Sequence, residues 1–165
     1  MELFCFASRN VDNIWRGVRA NRWAVATVSG PQMRSRITKA QRYLAPGCRG
    51  LLYCNPWHSF TTPFIVTSKA DPHAVVVDIW PEPWVLPFSI QPLGDPRRQV
   101  HMRDAWEHWP VLKSRRLRYA SVSAAMNITG TTVFVPVDIT EDDWNIILSD
   151  LAISPALLAQ SGDLG

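Results

Sequence analysis

The chain has 165 residues, 47% of them hydrophobic and 19% charged, enough for one domain that buries roughly two thirds of the surface its unfolded form exposes. That balance excludes a disordered or fibrous protein. No apolar run approaches the roughly 18 residues that a membrane span needs, and Met1-Glu2-Leu3 lacks the basic start of a secretory leader.

The expected setting is therefore cytoplasmic, with no membrane partner. Cys5, Cys48 and Cys54 have no metal-ligand spacing, and their odd number argues against a disulfide framework, so they read as small core residues with no metal or cofactor to hold. A net charge of +3 hides an asymmetry: all 17 lysines and arginines lie at or before Arg118 with 8 of the 14 acids, leaving about +9 on residues 1–118 and −6 beyond. A basic body of this kind fits a polyanionic partner, because neutralised phosphates release counterions.

In chain order, the apolar run Leu3 to Ala7 reads as a strand. It stops at the polar cluster Ser8, Arg9, Asn10, Asp12, Asn13, and a helix follows with Val11, Ile14, Trp15 and Val18 on one face. Ser8 and Asn10 are candidate caps. Arg22 to Val28 is β-branched and aromatic, a strand closed by Ser29-Gly30-Pro31. Met33 to Leu44 is a helix, with Met33, Ile37, Ala40 and Leu44 packing and Arg34, Arg36, Lys39 and Arg42 among the other positions. Gly50 to Cys54 is a buried strand, Asn55 to Ser59 a turn, and Thr61 to Ser68 a strand whose Pro63 implies an edge or a bulge.

Ala74 to Ile79 is the strongest β-former. Pro81 and Pro83 then break the ladder between Trp80 and Trp84, and a strand resumes from Trp84 to Gln91. Gly94 to Arg118 interleaves cations with aromatic rings, a composition suited to phosphates and stacked bases. Ala120 to Asn127 extends a short helix, Thr131 to Val137 reads as a strand, and Thr140-Glu141-Asp142-Asp143 caps a helix with Trp144, Ile147, Leu148 and Leu151 on one face. Residues 1–153 are expected to form a single domain, and residues 154–165 a short helix with a frayed tail.

No phosphate loop, nucleophile elbow or zinc helix is present, so the expected role is non-catalytic. Trp15, Trp84 and Trp144 read as core. Trp23, Trp57 and Trp80 adjoin a polar turn or a proline break, where an indole stays accessible. A base stacked on an aromatic ring gains roughly 1–3 kcal/mol, and an amide such as Asn13 or a hydroxyl such as Ser8 reads its edge. Such a cage can hold an extruded methylated base.

The order of Ala7 to Asn13, helix, Arg22-Trp23-Ala24, then Leu44-Ala45-Pro46-Gly47 into Leu51-Leu52-Tyr53 resembles the EVE and YTH families of the PUA-like superfamily. Ile79 to Trp84, Trp106-Glu107-His108 and Phe134-Val135-Pro136 before Thr140 to Trp144 extend the resemblance over nearly the whole chain. It implies an α+β PUA-like twisted mixed β-barrel flanked by helices. It also implies a reader that holds a flipped modified base, N6-methyladenine or a 5-modified cytosine, in DNA or RNA.

By that resemblance Trp23 is the first cage wall, Asn13 contacts the base edge and Ser8 precedes the helix. Trp80 is the opposing wall, with Trp57 as the alternative, so that a slot lies between Trp23 and Trp80. Arg9 and Ala24 stand where YTH members often have asparagine and serine, which leans toward the EVE side. Replacing Trp23 by alanine is expected to abolish binding and leave the fold intact. Phosphate contacts are expected from Arg22, Arg34, Arg36, Lys39, Arg97, Arg98, Arg103, Arg115, Arg116 and Arg118. The implied setting is a restriction, defence or regulatory system whose effector is another protein or a fused domain. The rival readings are an ASCH-like RNA- or nucleotide-processing enzyme or small nuclease working through His101, His108 and Lys113, and a protein-binding adaptor.

Overall fold

The computed structural model describes residues 1–163, leaving aside the side chains of Thr131 and of residues 161–163. One mixed sheet organises the chain. β1 (Glu2–Ser8), β2 (Arg22–Ala26), β3 (Arg49–Cys54), β4 (Ser59–Val66), β6 (Trp84–Pro92) and β8 (Val137–Asp138) lie in the order β2-β6-β4-β3-β1-β8, while β5 (Val75–Val76) and β7 (Gln99–His101) join from the side. The sheet curls as a half-barrel whose end strands are β2 and β8.

β1 and β3 are parallel, Leu3 opposite Arg49 through Ser8 opposite Cys54. Their side chains alternate between two cores: Phe4, Phe6, Leu52 and Cys54 face one cluster, and Leu3, Cys5, Leu51 and Tyr53 the other. Burial on both faces is why these strands are continuous apolar runs rather than alternating ones.

Helices α1 (Val11–Ala20) and α2 (Pro31–Tyr43) cover the first core. The second is covered by α3 (Met102–His108), α4 (Pro110–Lys113), α5 (Val122–Ala125) and α6 (Glu141–Leu151), and α7 (Pro155–Asp163) follows. Asn10, not Ser8, caps α1, accepting from Asn13 N–H at 2.8 Å. Thr140 and Asp143 close a capping box on α6, which explains much of the acidic C-terminal third. No described helix is long and apolar enough to cross a membrane.

Three expectations are corrected. Ala74 to Ile79 pairs only through Val75 and Val76; beyond Val76 no neighbouring strand remains, and Val77 turns to solvent. Thr131 to Val137 is not a strand: a 3-10 turn at Gly130–Thr132 precedes Phe134, whose φ of 66° breaks any extended run, and pairing starts only at Val137. Trp15 is half-buried under Arg19 rather than a core residue, whereas Trp144 is buried as expected. Pro63 sits in a bulge of the central strand β4: the β3–β4 register slips between Gly50 and Leu52, opposite Thr62-Pro63, with Thr62 at φ 55°. Of the 154–165 segment, Leu164 and Gly165 lie outside the described residues.

Candidate nucleic-acid interface

The carboxyl ends of β1 and β3 stop side by side, and a hollow of about 450 Å³ opens there. Ser8, Arg9 and Asn13 come from the β1–α1 junction, Tyr53 and Asn55 from the end of β3, Trp23 to Ala26 from β2, and Trp84 from the start of β6. The segment from Ser123 to Val133 forms the far wall. The sequence brings Ser8, Arg9, Asn13, Trp23, Ala24 and Arg36 to this hollow; Trp80 and Trp57 are not among its lining residues.

The tryptophans are arranged differently from a slot. Trp23 and Trp80 meet edge to face, centroids 5.7 Å apart at 81°, and are only 1% and 3% exposed. No base fits between them, which corrects the expected pairing of walls. Trp80 instead stacks on Trp84, at 4.4 Å and 21°. Trp84, read from the sequence as core, is 9% exposed and borders both the main hollow and a smaller one of about 130 Å³ with Arg9, Asn10, Asn13 and Trp80. Trp57, 36% exposed in a 3-10 turn after β3, borders none of the described hollows.

Trp80 is fixed from behind. Its indole N–H donates to the Asn13 carbonyl at 3.0 Å, Arg16 donates to the Ile79 carbonyl at 3.2 Å, and Arg9 pairs with Glu82 at 3.0 Å. The last pair is exposed on both sides and holds weakly. Together these contacts tie the proline-held loop between β5 and β6 to the first turn of α1. Asn13 thus uses its backbone for structure, while its side-chain amide makes no hydrogen bond within the described residues and borders both hollows. Ser8 donates its hydroxyl proton to the Asn10 carbonyl at 2.7 Å, so its oxygen keeps only acceptor capacity. The β2–β6 register shifts between Trp23 and Val25, which takes Ala24 out of the regular ladder at the pocket wall.

Trp23 is locked by Gly17 of α1: a Cβ there would lie 2.7 Å from the indole Cε3 and 2.9 Å from the Arg22 carbonyl. Trp23 is consequently a structural centre as well as a pocket wall. Its replacement by alanine removes a fully buried ring at a cost of about 3–5 kcal/mol, so the change weakens the fold as well as the pocket wall.

The cations divide. Arg36 lines the hollow, its guanidinium donating to the Ala26 carbonyl at 2.8 Å and the Gly130 carbonyl at 3.3 Å; burial lowers its pKa from the ordinary arginine value. Arg97 forks onto the buried Asp95 carboxylate and donates to the Leu157 carbonyl, and Arg98 donates to the Ser149 and Ala152 carbonyls at the end of α6. Both arginines are exposed and tie this segment to α6 and α7. Arg103 lies over Tyr119 at 4.2 Å, and Arg34, Arg115, Arg116 and Arg118 are exposed away from the hollow's lining, with Arg22 half-buried. His101 accepts from Arg103 N–H and faces His58, while His108 is exposed beside Glu107. Neither they nor Lys113 border the main hollow.

Cys5 and Cys54 are buried and Cys48 partly so. Burial raises all three thiol pKa values, and for Cys48 the Glu2 carboxylate adds to the effect.

No protein-family model matches this chain, and no curated protein matches it in sequence. Among solved structures it is similar to the YTH domain of Zygosaccharomyces rouxii MRB1 protein in complex with N6-methyladenosine RNA, with TM-score 0.55, 14% identity, and 94% of this chain and 90% of that one covered. The Pho92 YTH domain in complex with m6A superposes at TM-score 0.54 with 12% identity over 93% and 85% of the two chains. The MmI1 YTH domain follows at 0.53, 10%, 90% and 93%. The curled mixed sheet with its flanking helices therefore has the fold of a YTH-type domain.

Proposed function

We propose that this chain is a nucleic-acid-binding reader that holds one extruded, modified base in the hollow at the ends of β1 and β3. The observation that carries the reading is the composition of that hollow. Trp84, Trp23 and Tyr53 supply aromatic surface, Asn13 and Asn55 supply amides, and Arg9 and Arg36 supply positive charge. Its described lining holds no acid, histidine, cysteine or lysine. Such a set stacks on a base and reads its edge, but has no general base or activated nucleophile to transform it. The YTH neighbours in complex with N6-methyladenosine RNA and with m6A support the same reading.

The base enters with its edge toward Asn13 and Ser8 and a face toward Trp84, whose other side is backed by Trp80. An amide both donates and accepts, while the Ser8 oxygen accepts an exocyclic N–H. The domain then acts as the sensor of a regulatory, restriction or defence system, with the effector on another chain or in another domain.

The test is a binding panel of RNA and DNA oligonucleotides carrying N6-methyladenine, 5-methylcytosine, 5-hydroxymethylcytosine or no modification. At least a tenfold preference for one modified base, weakened in Asn13→Ala with the melting temperature unchanged, supports the reading. Equal affinity for all probes, or none for any, overturns it.

A further inference from the structure

One charge in the base hollow has no counterpart. Two cations line that hollow, Arg9 and Arg36. Arg9 is exposed and pairs with Glu82, whereas none of the ion pairs among the described residues includes Arg36. Arg36 is half-buried and held between two backbone carbonyls, Ala26 at 2.8 Å and Gly130 at 3.3 Å. Those carbonyls fix the guanidinium in place without neutralising it, and they engage two of its five N–H donors. Burial takes the cation partly out of water and lowers its pKa, yet an arginine remains charged at neutral pH.

The position of Arg36 says where on a base the matching anion lies. Gly130, to which Arg36 donates, belongs to the far wall of the hollow, across from Ser8 and Asn13 at the β1–α1 junction. A pyrimidine that turns its pairing edge toward Asn13 and Ser8 turns the opposite edge, C5 and C6, toward that wall. A substituent on C5 then points at Arg36, while a methyl on the exocyclic amine of adenine stays on the Asn13 side. A carboxylate in that place accepts parallel N–H bonds from the guanidinium, and the arginine is already partly desolvated and held before the ligand arrives, so the pair forms with little further rearrangement.

We propose that Arg36 is a specificity-determining residue that reads the modification itself: the base held here is a pyrimidine with an oxyanion on C5, of which 5-carboxylcytosine is the simplest, and Arg36 meets that carboxylate instead of a backbone phosphate. The inference rests on the base-reading proposed above and names the class of modification.

Calorimetry on the folded chain compares single-stranded DNA and RNA oligonucleotides of one sequence whose central residue is 5-carboxylcytosine, its uncharged isostere 5-carbamoylcytosine, 5-methylcytosine, N6-methyladenine or unmodified cytosine, in the wild type and in Arg36→Gln. The backbone is the same in every probe of one sugar, so any phosphate contact cancels from their ratios. The wild type is expected to bind the carboxylate probe roughly tenfold or more tightly than the carbamoyl probe, as befits a hydrogen bond to a charged group. In Arg36→Gln that ratio falls below about twofold, a readout that a general loosening of the pocket wall does not move. Three results overturn the inference and leave the base-reading standing: equal binding of the carboxylate and carbamoyl probes with both held above unmodified cytosine, a tighter complex with 5-methylcytosine or N6-methyladenine, and a variant that weakens all probes alike and keeps the ratio. A wild type that binds no probe, or all of them equally, overturns both.

Discussion

Gly17→Ala separates a pocket built around Trp23 from an ordinary helix position. Glycine inside a helix costs about 1 kcal/mol relative to alanine, so at a free site the change stabilises α1. At Gly17 the added methyl would lie 2.7 Å from Trp23 Cε3 and 2.9 Å from the Arg22 carbonyl. The backbone oxygen belongs to a paired strand and cannot turn away, and the indole is hemmed in by Trp80 and Trp84. Overpacking of this kind costs about 1–3 kcal/mol, which outweighs the propensity gain and leaves a net loss of about 1 kcal/mol. In a domain of this size that lowers the melting temperature by about 2–4 °C. Because the crowded indole lines the hollow, affinity for the modified oligonucleotide falls further than stability does. Thermal unfolding and calorimetry on the same preparation measure both. A variant that melts higher than the wild type and binds normally refutes the packing argument.

Asn10→Ala removes the α1 cap and costs about 1 kcal/mol, read as a lower denaturant midpoint at unchanged slope. Asn13→Ala leaves that midpoint in place and weakens base binding about tenfold, the value of roughly one hydrogen bond. Arg98→Ala frees the last carbonyls of α6, costs about 1 kcal/mol, and leaves the salt dependence of binding unchanged; a flatter salt slope in this variant would return Arg98 to the ligand. Burial raises the Cys5 thiol pKa far above the ordinary 9.0. The unfolded chain therefore releases that proton above about pH 9 while the native chain retains it, so stability is full below pH 9 and falls above it by up to about 1.4 kcal/mol per pH unit. Cys5→Ala removes the Cys5 share of this alkaline slope and leaves that of Cys48 and Cys54, and equal slopes in the two proteins would contradict the burial.

Much of the architecture is legible in the sequence because its signals are local. The period of Val11, Ile14 and Val18, the box formed by Thr140 and Asp143, and the apolar runs of β1 and β3 each specify one element without help from the rest. Ala74 to Ile79 misleads because β-propensity does not supply a partner, and only Val75 and Val76 find one. The Thr131 to Val137 run misleads because Phe134 must bend the chain to reach the first core.

At the site, Ser8, Asn13, Trp23 and Ala24 carry a local signal, a polar cluster after a strand and an indole opening the next. Asn55, Ser123 and Thr129 do not, since they reach the hollow through the parallel pairing of β1 with β3 and the crossing of α5 and the segment after it. Trp84 is a core residue, as its place at the head of an apolar strand implies; that it also borders the hollow, stacked on Trp80 four residues earlier across two prolines, carries no signal in the pattern. Arg97 and Arg98 look like ligand-facing cations in a basic segment, and nothing in that segment signals their tertiary contacts with Asp95 and α6.

The most direct measurement is the indole N–H region of a nitrogen–proton correlation spectrum, recorded while the preferred modified oligonucleotide is titrated in. With the base against Trp84 and Trp23, those two signals and that of Trp80, hydrogen-bonded to Asn13, shift together. Trp109 and Trp144, buried in the second core, keep their positions. Shifts confined to Trp106, Trp109 or Trp144, with Trp23 and Trp84 unmoved, would place the ligand on the other side of the sheet and contradict the account.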